Sequence, residues 1–191
     1  IIVVHGGGPR IHKELEKSNI QSKFIRGLRV TDEKIIDIVE NVLIDFNNDI
    51  VSSLEKMGTK AVGIHTKKNN VIEVLRDAPE LGFVGTPNKI NNEIILNIIK
   101  DGKIPIISPL GLQENQAFNI NGDVAAGKIA QSLKCRRLLL MTNVEGVLDQ
   151  NKKLIEEISS SEILQMIKNE TITSGMIPKV NMGLQSINNG V

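Results

Sequence analysis

The apolar residues of this chain fall into two kinds of run. Short blocks with almost no polar interruption stand at residues 1–4, 61–64, 104–107 and 137–141. Such blocks predict strands buried on both faces, as in a parallel sheet. The 137–141 block is the most apolar of them. Elsewhere apolar residues recur at three- and four-residue steps. The plainest case is Ile36, Val39, Val42, Leu43 and Phe46, which predicts a long helix over 33–57, capped by Thr31 or Asp32 and ended by Gly58. Shorter helices are expected over 10–19, 90–100, 122–133, 160–169 and 180–188. Short strands are expected over 71–75 and 82–84 in a hairpin-rich insertion, with extended segments at 23–30 and 118–121. Strands alternating with helices predict an α/β fold around a largely parallel sheet. The loop at 112–117 is the expected border between an N-terminal lobe, 1–115, and a C-terminal lobe, 116–191.

Composition narrows the function classes. The 191 residues are 40% hydrophobic and 24% charged, with a net charge of +1, so a globular core is expected and disorder is not. Near-neutral charge argues against nucleic-acid binding. The only aromatic residues are four Phe, which leaves almost no stacking platform for single strands. One cysteine, Cys135, makes neither an internal disulfide nor a zinc site. It fits a reducing compartment, the cytoplasm, with the plastid stroma as the alternative. No run reaches transmembrane length and no signal-like segment opens the chain. The first strand stands bare at Ile1, which suggests sequence preceding it.

Five segments hold candidate chemistry. His5-Gly6-Gly7-Gly8-Pro9 follows a strand and opens a helix. Three glycines let backbone N–H groups approach an anion closely, and the helix start adds positive potential. A plain turn would need only one glycine. The segment matches neither GxGxxG nor the P-loop pattern. Arg29, in Gly27-Leu28-Arg29-Val30-Thr31, could fork onto a carboxylate or form a surface salt bridge. Asn119, Asn121 and Asp123 would point to one side of an extended segment, where helix capping would need only one of them. The 139–147 segment carries a strand into a polar loop, the place where open parallel sheets bind ligands. Lys179 follows a glycine turn near a helix start, where it could neutralise a transferring phosphoryl group or lie solvated on the surface. His5, His12 and His65 lack metal-ligand spacing and are read as structural, and no metal site is expected.

Taken together, VVHGGGP, GLRVTD, GFVGTP, NINGD, LLLMTNVEGVLD and SGMIPKV resemble, in order and over the whole chain, the acetylglutamate kinases of the amino acid kinase family. The resemblance implies an αβα sandwich around an eight-stranded, mainly parallel sheet. It implies phosphoryl transfer from ATP, carrying Mg²⁺, to the side-chain carboxylate of N-acetyl-L-glutamate in arginine biosynthesis. On the matching positions, Gly7 and Gly8 would donate N–H groups to substrate and phosphoryl. Arg29 and Asn119, with Asn121 beside them, would hold the substrate. Asp123 would orient the catalytic lysine Lys179. Asn143, Val144, Glu145, Gly146, Val147 and Leu148 would hold the nucleotide together with Thr171, Ile172, Thr173 and Gly175. Family members assemble as dimers or hexamers, and some bind the PII signal protein. The departures are Asn143 for a common Asp, Ser174 for a common Gly, and Gly122 for a frequent Ala. The family's first strand, with a K-x-G-G loop carrying a second catalytic lysine, would precede Ile1, and its last strands would follow Val191. On that reading the chain is the middle of a longer kinase and is inactive alone. The alternatives are another amino acid kinase acting on carbamate, glutamate or uridylate, or a non-catalytic binding module. GLRVT and NINGD favour an amino-acid carboxylate.

Overall fold

The computed structural model describes residues 1–173 and 176–191. In chain order its elements are β1 (Val3–Val4), α1 (Gly8–Lys17), β2 (Phe24–Ile25), β3 (Leu28–Arg29), α2 (Glu33–Lys56), β4 (Ala61–Ile64), β5 (Ile72–Arg76), β6 (Gly85–Ile90), α3 (Asn92–Lys100), β7 (Ile104–Ile107), β8 (Leu110–Gln113), β9 (Gln116–Asn119), α4 (Gly122–Ser132), α5 (Ser160–Lys168) and α6 (Met176–Asn188). A 3-10 turn, Pro79–Leu81, precedes β6.

The apolar blocks form a parallel trio in the order β1-β7-β4. Val3 and Val4 pair with Ile106 and Ile107, and Ala61 to Ile64 pair in register with Ile104 to Ile107. Neighbouring residues on these strands face opposite ways, and the packing follows that alternation. Gly63 faces Asn47 and Val51 of α2. Ile64 and Ile107 join the core on the other face with Ile95 of α3 and with Ala125 and Ile129 of α4. Helices therefore cover both faces of the parallel sheet. On the α2 side, Ile11 and Leu15 of α1 interlock with Ile35, Val39 and Leu43. The α2 start is set by Asp32, whose carboxylate accepts from Lys34 N and Ile35 N. Such a cap stabilises a helix by about 1 kcal/mol.

The remaining strands build a second sheet, β6-β5-β8-β9, with β5 parallel to β8 and the other pairs antiparallel. The β2–β3 hairpin stands apart, turning through Arg26 and Gly27 at φ 51° and 81°. In place of one eight-stranded sheet, the described residues carry a trio, a quartet and a hairpin. The quartet strand β8 had no separate signal, because its glycine and glutamine break the apolar pattern. The expected strand at 82–84 is instead a turn and two isolated bridges, Thr31 with Gly82 and Val84 with Asn119. Gly82 takes φ 72° against the Thr31 carbonyl, which prevents a regular strand there. The largest departure is 137–141. It forms no strand and pairs with none of the described ones, and Leu139 and Met141 are 80% and 89% exposed. An apolar block reports a wish for burial, but a strand also needs a hydrogen-bonding neighbour. α6 starts at Met176, ahead of the expected 180, and this puts Lys179 in its first turn.

Candidate active site

The carboxyl end of β1 runs through His5 into the glycine loop, and Gly7 caps α1. Only Gly7 is required by packing. A Cβ there would overlap Leu43 Cδ2 of the buried α2 face, whereas Gly6 and Gly8 have open space. The loop lines a cavity of about 190 Å³ with Phe24, Arg29, Asn119, Asn121 and Gly122. The start of α4 abuts it, since a Cβ on Gly122 would lie 3.7 Å from Gly6 Cα. Three of the five candidate segments thus meet at one place.

Arg29 is 9% exposed. Its guanidinium lies 4.7 Å over the Phe24 ring, donates to Ser22 Oγ, and reaches Gly8 O at 3.4 Å. Burial pushes its pKa down, although an arginine stays cationic at neutral pH. Among the described residues no carboxylate pairs with it. The surface salt bridge is therefore excluded. A buried cation without an acidic partner at a cavity wall is poised for an anionic ligand.

Asn119 and Arg29 are linked by Thr31, which the sequence offered as an alternative cap of α2, a place that Asp32 takes. Thr31 is fully buried. Its hydroxyl donates to Arg29 O at 2.9 Å and accepts from Asn119 Nδ2 at 3.2 Å. Asn121 is the α4 cap, with Oδ1 accepting from Asp123 N and Val124 N at 2.9 and 3.1 Å. Asp123 turns to α6, where both of its carboxylate oxygens accept from Lys179 Nζ, at 2.9 and 3.0 Å. The polar row Asn119, Asn121 and Asp123 therefore divides into three separate tasks. Lys179 is held in place rather than free on the surface.

The expected nucleotide segments lie together on the α5–α6 side. Val147 and Ile172 both pack against the cluster of Ile163, Val180 and Leu184, which holds 143–148 beside 171–173. Ile172 is 4% exposed and serves that core, whereas Asn143, Val144, Glu145 and Thr173 are exposed. Leu148 bridges Leu154 across a turn in which Asp149 accepts from Asn151 N and Lys153 N. Thr171 donates to Asn169 Oδ1. Gly175 and Ser174 lie outside the described residues. Among the described residues no group of three or more His, Cys, Asp or Glu gathers as a cation site. No described helix is long and apolar enough to cross a membrane.

Comparison with known proteins agrees with this arrangement. The chain is 52% identical over its full length to an acetylglutamate kinase of Pelagibacter ubique and covers 66% of that protein. It is 44% identical to an acetylglutamate kinase of Ruegeria pomeroyi, again over its full length and 67% of the relative. The chain thus spans about two thirds of the length of these curated relatives. Among solved structures, smu.665 of Streptococcus mutans superposes with a TM-score of 0.93 at 33% identity, over 100% of this chain and 78% of the other. The amino acid kinase family matches residues 1–191, and with the glycine loop, the buried Arg29 and the Asp123–Lys179 pair in place, the chain belongs to that family.

Proposed function

We propose that the protein transfers the γ-phosphoryl group of ATP to the side-chain carboxylate of N-acetyl-L-glutamate, giving N-acetylglutamyl 5-phosphate and ADP, the second step of arginine biosynthesis. The observation that carries this reading is Arg29. It is a buried cation with no acidic partner among the described residues, and it opens onto the same small cavity as the glycine loop and Asn119.

On this reading Arg29 and Asn119 hold the α-carboxylate of the substrate. Asn121 offers its Nδ2, because its Oδ1 caps α4. The substrate's side-chain carboxylate oxygen forms the new bond to the γ-phosphorus as the bond to the β,γ-bridging oxygen breaks. A carboxylate needs no general base, so the protein's work is positioning and charge neutralisation. Gly7 and Gly8 supply N–H donors, and Lys179, aimed by Asp123, faces the negative charge. ATP lies along 143–148 and 171–173, with Gly175. Mg²⁺ would be carried on the phosphates and would offset part of their negative charge, and Lys179 would add the chain's own share of that neutralisation. The acceptor lies against the 1–115 lobe, with Asn119 and Asn121 reaching it from the 116–191 lobe, and the nucleotide lies on the 116–191 lobe.

ADP release by the complete protein tests the reading, with acetylglutamate, glutamate and carbamate offered in turn. Turnover is expected with acetylglutamate alone. ATP turnover indifferent to acetylglutamate would overturn it.

A further inference from the structure

Beneath the glycine loop lies a buried polar chain that the proposed roles do not use. Asn47, on the inner face of α2, is fully buried, and His5 is 7% exposed. Asn47 Nδ2 has two hydrogens and two acceptors, Ile106 O at 2.9 Å and His5 Nε2 at 3.1 Å. With Nε2 accepting, the ring proton must sit on Nδ1, which donates to Gly6 O at 2.7 Å. The Phe46 ring meets the imidazole edge to face at 5.1 Å.

Two features show that this chain is more than filling. Asn47 Oδ1 is buried without a partner, a desolvation penalty that an apolar side chain would avoid. The sheet also leaves room for the amide, because a Cβ on Gly63 would overlap Asn47 Oδ1. What the chain holds is a backbone segment with no side chains of its own. Glycine backbones sample both signs of φ freely, so Gly6-Gly7-Gly8 needs an external restraint to keep its N–H groups aimed. In a trans peptide the carbonyl and the following N–H point in opposite directions. Pinning Gly6 O to the imidazole therefore turns Gly7 N–H to the opposite side of the peptide, in a residue that lines the cavity.

We propose that His5 and Asn47 are positioning residues: the Asn47–His5 pair anchors the Gly6 carbonyl and so aims the Gly7 N–H at the transferring phosphoryl group. The phosphoryl part of this statement rests on the proposed kinase activity, but the peptide anchoring does not. His5 is thereby assigned a task beyond the structural one expected of it from spacing.

The test compares two polar variants of similar size in the complete protein. In His5→Asn the side-chain amide reaches the place of Nδ1 and keeps the donor to Gly6 O. In His5→Gln it reaches the place of Nε2 and loses that donor. The kcat of His5→Gln is expected to fall about 10- to 100-fold, part of what removal of a direct donor costs, while the KM for acetylglutamate moves less than about threefold, as for a group acting on the transition state. His5→Asn should recover at least about tenfold of the lost kcat. Equal rates in the two variants, or a reversed order, would overturn the proposal. The Gly7 amide ¹⁵N shift, read on glycine-labelled protein without substrates, separates this idea from the kinase reading. A shift displaced in His5→Gln and retained in His5→Asn supports the anchor even if wild-type protein proves inactive with acetylglutamate, and a shift unchanged in both variants refutes it.

Discussion

Lys179 Nζ lies 2.9 Å and 3.0 Å from the two carboxylate oxygens of Asp123, across 56 positions of sequence. The side chains are 24% and 23% exposed, so solvent screens the pair and its worth to stability is at most about 1 kcal/mol. Its value is directional, because it ties the first turn of α6 to the first turn of α4, beside the glycine loop.

Lys179→Met should therefore separate stability from catalysis. The expected loss in kcat is about 10²- to 10³-fold, the scale for removing one charge-stabilising donor, with a Tm within a few degrees of wild type. Asp123→Asn should lower kcat as well, by releasing the lysine. Steady-state kinetics beside a thermal melt decide it, and undiminished turnover would return Lys179 to a surface role.

Arg29→Ala should act mainly on the KM for acetylglutamate. Charge-assisted hydrogen bonds contribute about 1.5–3 kcal/mol, which is a rise of about 10- to 100-fold. Arg29→Lys should recover little, because an ammonium cannot donate to Ser22 Oγ and present a planar fork at the same time. Titration calorimetry with acetylglutamate gives the same comparison without turnover.

The three glycines of the loop should respond unequally to alanine. Gly7→Ala forces a methyl into Leu43 Cδ2 and should destabilise by about 1–3 kcal/mol, the usual cost of overpacking. Gly8→Ala has open space and should change stability little. Urea midpoints of the two variants measure the difference, and equal midpoints would contradict the packing account.

Acid should weaken the fold through its buried histidines. Burial is the main cause lowering the pKa of His5, with Arg10 adding to it and the bond to Gly6 opposing. Burial likewise leads for His65, aided by Lys68 and Lys67 and opposed by Glu40. The folded values lie below the ordinary one, about 6.5, so the unfolded chain takes up protons first. Stability is then full above that pH and declines as pH falls below it, by up to about 1.4 kcal/mol per pH unit for each histidine, until the folded groups titrate. The Tm should drop between pH 7.5 and 5.5, and less steeply in His5→Asn. Parallel pH curves for the two proteins would show that His5 is not held neutral.

Much of this molecule could be read along the chain. Ile1 to Val4, Ala61 to Ile64 and Ile104 to Ile107 were legible because buried parallel strands are apolar on both faces, and α2 because its apolar stripe recurs at three- and four-residue steps. The glycine loop, Arg29, Asn119 and Lys179 were legible as residue types in a recognisable order. Asn47, Ser22 and the link that Thr31 makes were not. Each acts through a partner distant in sequence or across a turn, and nothing in its immediate neighbours marks it. Asn47 in particular sits on a helical stripe where an apolar residue was the natural expectation.

The sequence by itself determined the α/β class, the elements that carry the site and the family, since local periodicity and ordered motifs are properties of the chain. The tertiary structure decided which partner each polar group took: Asp123 with Lys179, Asn121 with the α4 backbone, Arg29 with no carboxylate among the described residues, and His5 with a glycine carbonyl. It also decided that 137–141, for all its apolarity, pairs with no described strand. Hydrogen bonds and ladders require two groups at one distance and angle, and only the folded chain brings those two groups together.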